Sequence, residues 1–140
     1  MTTGYLVDTN IISELLRPVP DSKIVSSFRA AEDQISTACV VWHELIFGAR
    51  RLPASKKRRR IEAFLFDVLL PSIPILPYDT QAAQWHGKER ARLYSIGQPP
   101  SFADGQIASI AATNGLVVVT RNTADFEKFD DIAVENWITV

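Results

Sequence analysis

Apolar and polar positions along the chain follow two periods, one short and one helical. Tyr5, Leu6 and Val7 are a brief apolar run closed by Asp8, which predicts a strand ending at that aspartate. Residues 10–17 then read as a helix that Pro18 and Pro20 stop. Asp21 or Ser22 caps a second helix through Ala31, and residues 34–37 predict a short strand. From 38 to 52 apolar residues recur at Ala38, Val41, Trp42, Leu45, Ile46 and Ala49, a helical spacing that Pro53 breaks. Ser55 opens a basic helix whose second half is apolar at Ile61, Phe64, Leu65, Val68 and Leu69, and Pro71 is expected to end it. Residues 73–76 read as a strand interrupted by Pro74. Asp79 caps a long helix reaching Tyr94 or Ile96, and residues 97–101 form a loop. A helix over 102–114 has Gly115 well placed at its end. Residues 116–120 are the strongest strand, 121–125 a loop, and 133–140 one or two last strand segments.

Short strands alternating with helices predict an α/β domain with a mainly parallel central sheet flanked by helices. The 140 residues fit one domain, with no repeat or linker. With 46% hydrophobic and 22% charged residues, disorder is excluded by composition. No apolar run approaches a membrane span, and the first residues do not resemble a signal peptide, so a cytoplasmic protein with no membrane contact is expected. Cys39 is the only cysteine, which excludes an intrachain disulfide and a cysteine-rich zinc site. Net charge is −1, but seven of the 15 Lys and Arg residues lie between Arg50 and Arg60, so charge is locally concentrated. That stretch either steers a phosphate-bearing or acidic partner or is a solvated helix face.

Ligands of open parallel sheets bind outside the carboxyl ends of the strands. Here those ends carry Asp8-Thr9-Asn10 and Thr120-Arg121-Asn122, with Asp125 close behind. No phosphate-cradling glycine loop and no serine-nucleophile elbow is present. Glu44 sits in an otherwise apolar helix, where an acid is partly buried and needs a partner. Asp104 lies near the start of the helix 102–114. Each acid also has a plain structural reading. Asp8 can cap the next helix, and Glu44 can pair with Arg50 or another base. Asp104 can gain about 0.3–1 kcal/mol from the helix dipole. Together, Asp8, Glu44, Asp104 and Asp125 come from four segments that a parallel sheet can bring to one edge. Four such carboxylates repel one another unless a hard cation joins them, and oxygen-only ligation suits Mg²⁺ or Mn²⁺. Such a site suits phosphoryl chemistry, with Thr9, Asn10, Thr120 and Asn122 orienting water or carboxylate oxygens. Arg121 either meets a phosphate or sits at the surface. Cys39 and His43 stand four apart on a helix, but no third orienting group completes a catalytic pair. Trp42, Trp85 and Trp137 read as core or interface residues.

Four segments carry a family resemblance in order and spacing. They are Tyr-Leu-Val-Asp-Thr-Asn-Ile-Ile-Ser-Glu from Tyr5, Val-Val-Trp-His-Glu-Leu-Ile-Phe-Gly-Ala from Val40, Phe-Ala-Asp-Gly-Gln-Ile-Ala-Ser-Ile-Ala-Ala from Phe102, and Val-Val-Thr-Arg-Asn-Thr-Ala-Asp-Phe from Val118. The chain resembles PIN-domain proteins, and more narrowly the VapC/FitB-type toxins of toxin–antitoxin pairs, over nearly its whole length. The resemblance implies a Mg²⁺- or Mn²⁺-dependent endoribonuclease with Asp8, Glu44, Asp104 and Asp125 as acids and metal ligands, Thr120 as the strand-end hydroxyl and Asn122 as the family's asparagine. It also implies a homodimer inhibited by a cognate antitoxin, which alone would contact operator DNA, with RNA as substrate. Val134-Glu135-Asn136-Trp137 lacks the proline that often precedes this tryptophan, which bears on the last strand rather than the site.

Two other readings compete. A catalytically silent PIN-like module would sequester a partner, and the presence of all four acids counts against it. A phospho-acceptor receiver domain would need an early acid pair and a lysine after a late strand, and the chain has neither.

Overall fold

The computed structural model describes residues 4–138. Its five strands form one sheet in the order β3-β2-β1-β4-β5, with every neighbouring pair parallel. β1 (Tyr5–Val7) leads through Asp8 into α1 (Thr9–Leu15), and α2 (Ser22–Ala30) follows. Asp21 caps α2 by accepting from the backbone of Lys23 and Ile24, as its residue type favours. β2 (Ile35–Ala38) runs directly into α3 (Cys39–Arg50). α4 (Lys56–Ala63) starts at the Ser55 cap, widens into a π-helical stretch (Phe64–Leu69), and closes in α5 (Leu70–Ser72). β3 (Ile75–Leu76) follows, then α6 (Thr80–Ser95), capped by Asp79. α7 (Phe102–Thr113), β4 (Val117–Val119), α8 (Thr123–Glu127) and β5 (Val134–Glu135) complete the chain.

The strand order places the site. β1 lies between β2 and β4, and the crossovers turn to opposite sides of it, so the chain reverses direction between β1 and β4. Clefts of open α/β sheets form at such a reversal, outside the carboxyl ends of the strands. Val7 pairs in register with Val119, so Asp8 and Thr120 leave the sheet side by side. The Asp8 N–H donates to the Val119 carbonyl at 2.9 Å, which fixes the aspartate before α1 begins. Leu6, Val7, Val118 and Val119 are fully buried, and α7 packs its Ile107, Ala108, Ile110 and Ala111 into the same core. α7 is apolar almost all round because it is buried on most sides.

Three expectations are corrected. Residues 121–125 are not wholly loop, because α8 occupies Thr123–Glu127. One turn is too short to show a period, and the burial of Phe126 holds it. Pro71 does not end its helix. It sits in the last turn, after a π-helical widening in which Leu70 N–H reaches back to the Leu65 carbonyl. The final strand is two residues long, and Thr139 and Val140, which the expected segment included, lie outside the described residues, as do Met1 to Thr3 of the expected leaderless start. Among the described residues no helix is long and apolar enough to cross a membrane.

Candidate active site

At the β1–β4 reversal a cleft of about 700 Å³ opens, lined by Asp8, Asn10, Glu44, Asp104, Arg121 and Asn122 among others. Asp8 comes from the end of β1 and is buried. Its Oδ1 accepts from Thr9 N–H at 2.8 Å, and its Oδ2 from the Thr120 hydroxyl at 2.9 Å. Asn10 Nδ2 reaches both Asp8 Oδ2 at 3.4 Å and Thr120 Oγ1 at 3.3 Å. Asn122 enters through its backbone, donating to Thr120 Oγ1 at 3.0 Å.

Glu44 stands on the flank of α3, whose buried stripe is Val41, Leu45 and Ala49. It is half-buried and accepts from the Thr9 hydroxyl at 2.5 Å. The alternative of an ion pair with Arg50 does not form, because Arg50 lies 3.7 Å from Glu62 instead. Asp104 is on the first turn of α7, with its N–H capped by Ser101 Oγ at 3.1 Å. Behind it Gly105 admits the ring of His86. A Cβ there would fall 2.0 Å from His86 Nε2, so packing against α6 seats this end of α7.

The electrostatics tie the acids together. Burial raises the Asp8 carboxyl above its ordinary range despite the bonds from Thr9 and Thr120, and the charges of Asp104 and Glu44 add to the rise. Asp104 is raised first by burial and then by Asp125 and Glu44, against the bond from Ser101 and the charge of Lys128. Asp8, Glu44 and Asp104 therefore share one cleft. Asp125, exposed on α8, stands beside Asp104 outside the residues lining it. Among the described residues no three His, Cys, Asp or Glu side chains close on a single point as a finished metal cage. The donor set is nonetheless all oxygen and short of positive charge. That fits a hard divalent ion that keeps several waters rather than one fully wrapped by protein.

A second groove of about 640 Å³ shares Thr9, Ser13, Arg17 and Glu44 with the cleft and extends over Leu16, Leu45, Ala49 and Ile61. Lys57 and Arg60 line it, whereas Arg58 is bound inward, its Nε 2.6 Å from Glu62 and its Nη1 3.2 Å from the Leu52 carbonyl. The basic stretch is thus partly structural. Cys39 packs on the core and His43 lies beside Phe47, so the two do not form a pair. Trp137 is buried edge-on to Tyr5 and Phe28, and Trp85 lies against Phe129.

Glu14 was not among the expected site residues. It is buried on the floor of the cleft and binds Arg17 and Arg121. Its signal is the one that exposes Glu44, an acid three residues after Ile11 on an apolar helix face.

The PIN domain family model matches residues 5–132. Toxin FitB of Neisseria gonorrhoeae is 34% identical over 136 residues, covering 94% of this chain and 97% of the relative. The tRNA(fMet)-specific endonuclease VapC of Salmonella typhimurium is 32% identical over 134 residues, covering 95% and 97%. Among solved structures, FitAcB from Neisseria gonorrhoeae superposes with a TM-score of 0.87 at 32% identity, covering 95% of this chain and 97% of that one. DNA-bound VapBC from Salmonella typhimurium gives 0.85 at 32% identity, covering 97% and 99%.

Proposed function

Because the chain belongs to the PIN-domain family, we propose that it is an endoribonuclease acting as the toxin of a toxin–antitoxin pair. The observation that carries this reading is the cleft at the β1–β4 reversal. There Asp8, Glu44 and Asp104 meet, and their hydrogen bonds come from hydroxyls, amides and backbone N–H groups. RNA follows as substrate class from the relatives named as ribonucleases and as a tRNA-specific endonuclease. An antitoxin follows as partner from the similarity to the VapBC and FitAB assemblies, and operator DNA would be reached through that antitoxin. A second copy of the chain belongs to the same proposal, with the exposed Phe66, Val68 and Leu70 as apolar surface for it.

In this reading Asp8, Glu44 and Asp104 would hold a Mg²⁺ or Mn²⁺ ion, with Asp125 acting from beside Asp104. When bound, such an ion activates water and stabilises the charge that gathers on a phosphodiester under attack. The chain's own residues set the geometry. Thr120 and Thr9 N–H hold both oxygens of Asp8, so its carboxylate cannot turn away from the cleft. The Thr9 hydroxyl does the same for Glu44, and one residue thereby aims two acids. Asn10 joins Asp8 to Thr120 and keeps the two strand ends in register. Asn122, exposed, lines the same cleft and would meet the substrate there. Hydrolysis adds water oxygen to phosphorus and releases the ribose oxygen, leaving a 5′-phosphate and a 3′-hydroxyl.

The test is cleavage of RNA by the purified chain with Mg²⁺ or Mn²⁺, followed by chemical typing of the ends. We expect 5′-phosphate products, complete loss of cutting with a chelator, and recovery on adding Mn²⁺. Cleavage that ignores the chelator, or no cleavage of any RNA in Mn²⁺, overturns the proposal.

A further inference from the structure

Besides Glu14, three carboxylates line the cleft, Asp8, Glu44 and Asp104, and a divalent ion among those three would still leave one negative charge facing an RNA phosphate. Two arginines answer that charge. Arg17, on the turn after α1, and Arg121, just after β4, both line the cleft, and both are about half exposed or more. Each is tied to the carboxylate of Glu14, which is 4% exposed. Arg17 Nη1 lies 3.0 and 3.2 Å from the two Glu14 oxygens, and Arg121 Nη2 lies 3.3 Å from Oε2. Glu14 Oε1 also accepts from Asp21 N–H at 3.2 Å, which anchors it to the start of α2. The Arg121 backbone is fixed as well, its N–H donating to Asn10 Oδ1 at 3.0 Å.

Two guanidinium groups on one carboxylate leave a net charge of +1. A guanidinium has five N–H donors, and each arginine is held to Glu14 by a single nitrogen. Among the described residues the remaining donors bind no other group, and both side chains line the cleft. Because Glu14 holds both heads, little side-chain freedom is lost when an anion meets them. We propose that Arg17 and Arg121, clipped together by the buried carboxylate of Glu14, grip an RNA phosphate next to the one being cut, with Glu14 as their positioning residue. This rests on the ribonuclease reading above. It turns Glu14 from a further acid of the site into the support of its cationic rim.

The experiment is steady-state cleavage of a short single-stranded RNA in Mn²⁺ over a salt series, with Mn²⁺ affinity measured separately by calorimetry. Arg17→Gln and Arg121→Gln each raise KM about tenfold, the size expected for a lost charged hydrogen bond. Each also reduces the slope of log kcat/KM against log salt by about 0.7, the loss of one phosphate contact on a single strand. Mn²⁺ affinity stays unchanged in both. Glu14→Gln keeps both cations, so its salt slope stays, but kcat falls because the arginines are no longer held. Both arginine variants fold, since their heads are exposed, and melting curves check Glu14→Gln. An RNA-cutting parent whose two arginine variants keep their KM and salt slope overturns the inference alone. A parent that cuts no RNA overturns the ribonuclease reading instead.

Discussion

Asp8 and Glu89 are both buried carboxylates, 7% and 8% exposed, and they behave in opposite ways. Glu89 faces Arg92, whose Nε and Nη2 lie 2.7 and 3.0 Å from its two oxygens, and it accepts from Asp130 N–H at 2.9 Å. The bond from Arg92 chiefly holds its carboxyl below the ordinary range. Arg92 also reaches the Lys128 carbonyl and Asp130, so the pair staples α6 to the segment after α8. Asp8 has comparable burial and three hydrogen bonds, but its donors are neutral and its charged neighbours are Asp104 and Glu44. Burial therefore raises it. Depth does not separate a working acid from a structural one. A charged partner does: the bond from Arg92 outweighs the burial of Glu89, whereas the neutral donors Thr9 and Thr120 offset the burial of Asp8 only in part, and its acidic neighbours add to the rise.

The widest separation between the two is expected in catalysis. Asp8→Asn should lower RNA cleavage by at least about 10³-fold, as losses from groups acting as a unit do. It should also raise the melting temperature of the metal-free chain, because a repelled charge has gone. Glu89→Gln should do the reverse, leaving cleavage within twofold while lowering stability by about 1.5–3 kcal/mol, the range for hydrogen bonds to charged groups. Assays on folded protein, paired with urea unfolding, measure both. Loss of cleavage in a folded Glu89→Gln protein would break the distinction.

The third acid of the cleft is placed by packing rather than by a bond to its carboxylate from another element. Gly105, next to Asp104, leaves the space that the His86 ring fills, while Tyr78 Oη lies 2.8 Å from His86 Nδ1. Gly105→Ala should cost about 1–3 kcal/mol through overpacking. His86→Ala beside it should recover much of that loss, since the new methyl then has room. A double-mutant cycle in urea reads the coupling. Strict additivity of the two changes would mean that α7 is not seated on this contact.

How much of this was legible in the sequence depends on the range of the interaction. Asp8 and Thr120 stand out because short apolar strands end in them, and parallel strands end together. Glu44 stands out as an acid within a helical apolar stripe. Glu14 carries the same signal, but α1 has only seven residues, and its partner Arg121 is 107 positions away. No local pattern reports a pairing over that distance. The basic stretch misleads for a different reason: Arg58 pairs with Glu62 only four residues on, a local helix pair that a count of bases over 50–60 passes over, and Arg50 reaches the same glutamate. α8 was hidden because one turn has no period, and Pro71 because the π-helical widening before it leaves no trace in hydropathy.

The smallest effect is the sharpest test of sign. Asp8 binds a proton more readily folded than unfolded, because its native pKa is raised. The native state then holds more protons than the unfolded one, and the Asp8 contribution to stability grows as pH falls. Glu89, held low, behaves oppositely, contributing fully above the ordinary glutamate value and losing that contribution as pH falls through its native value. Buried His86 is also lowered, so the unfolded chain takes its proton first and stability drops below about pH 6.5. That trend overlaps the rise from Asp8, and the total curve of the wild type mixes them. Differences between variants remove it, because His86 is common to both proteins. In a chelator, at fixed ionic strength, Asp8→Asn should be more stable than wild type at pH 8, and its advantage should shrink as pH falls through the raised native value of Asp8. The deficit of Glu89→Gln should stay level to about pH 5 and close only below the ordinary glutamate range near 4.3. Urea midpoints across pH give both differences. An Asp8→Asn advantage that widens toward acid would mean that Asp8 is already neutralised within the fold, as Glu89 is.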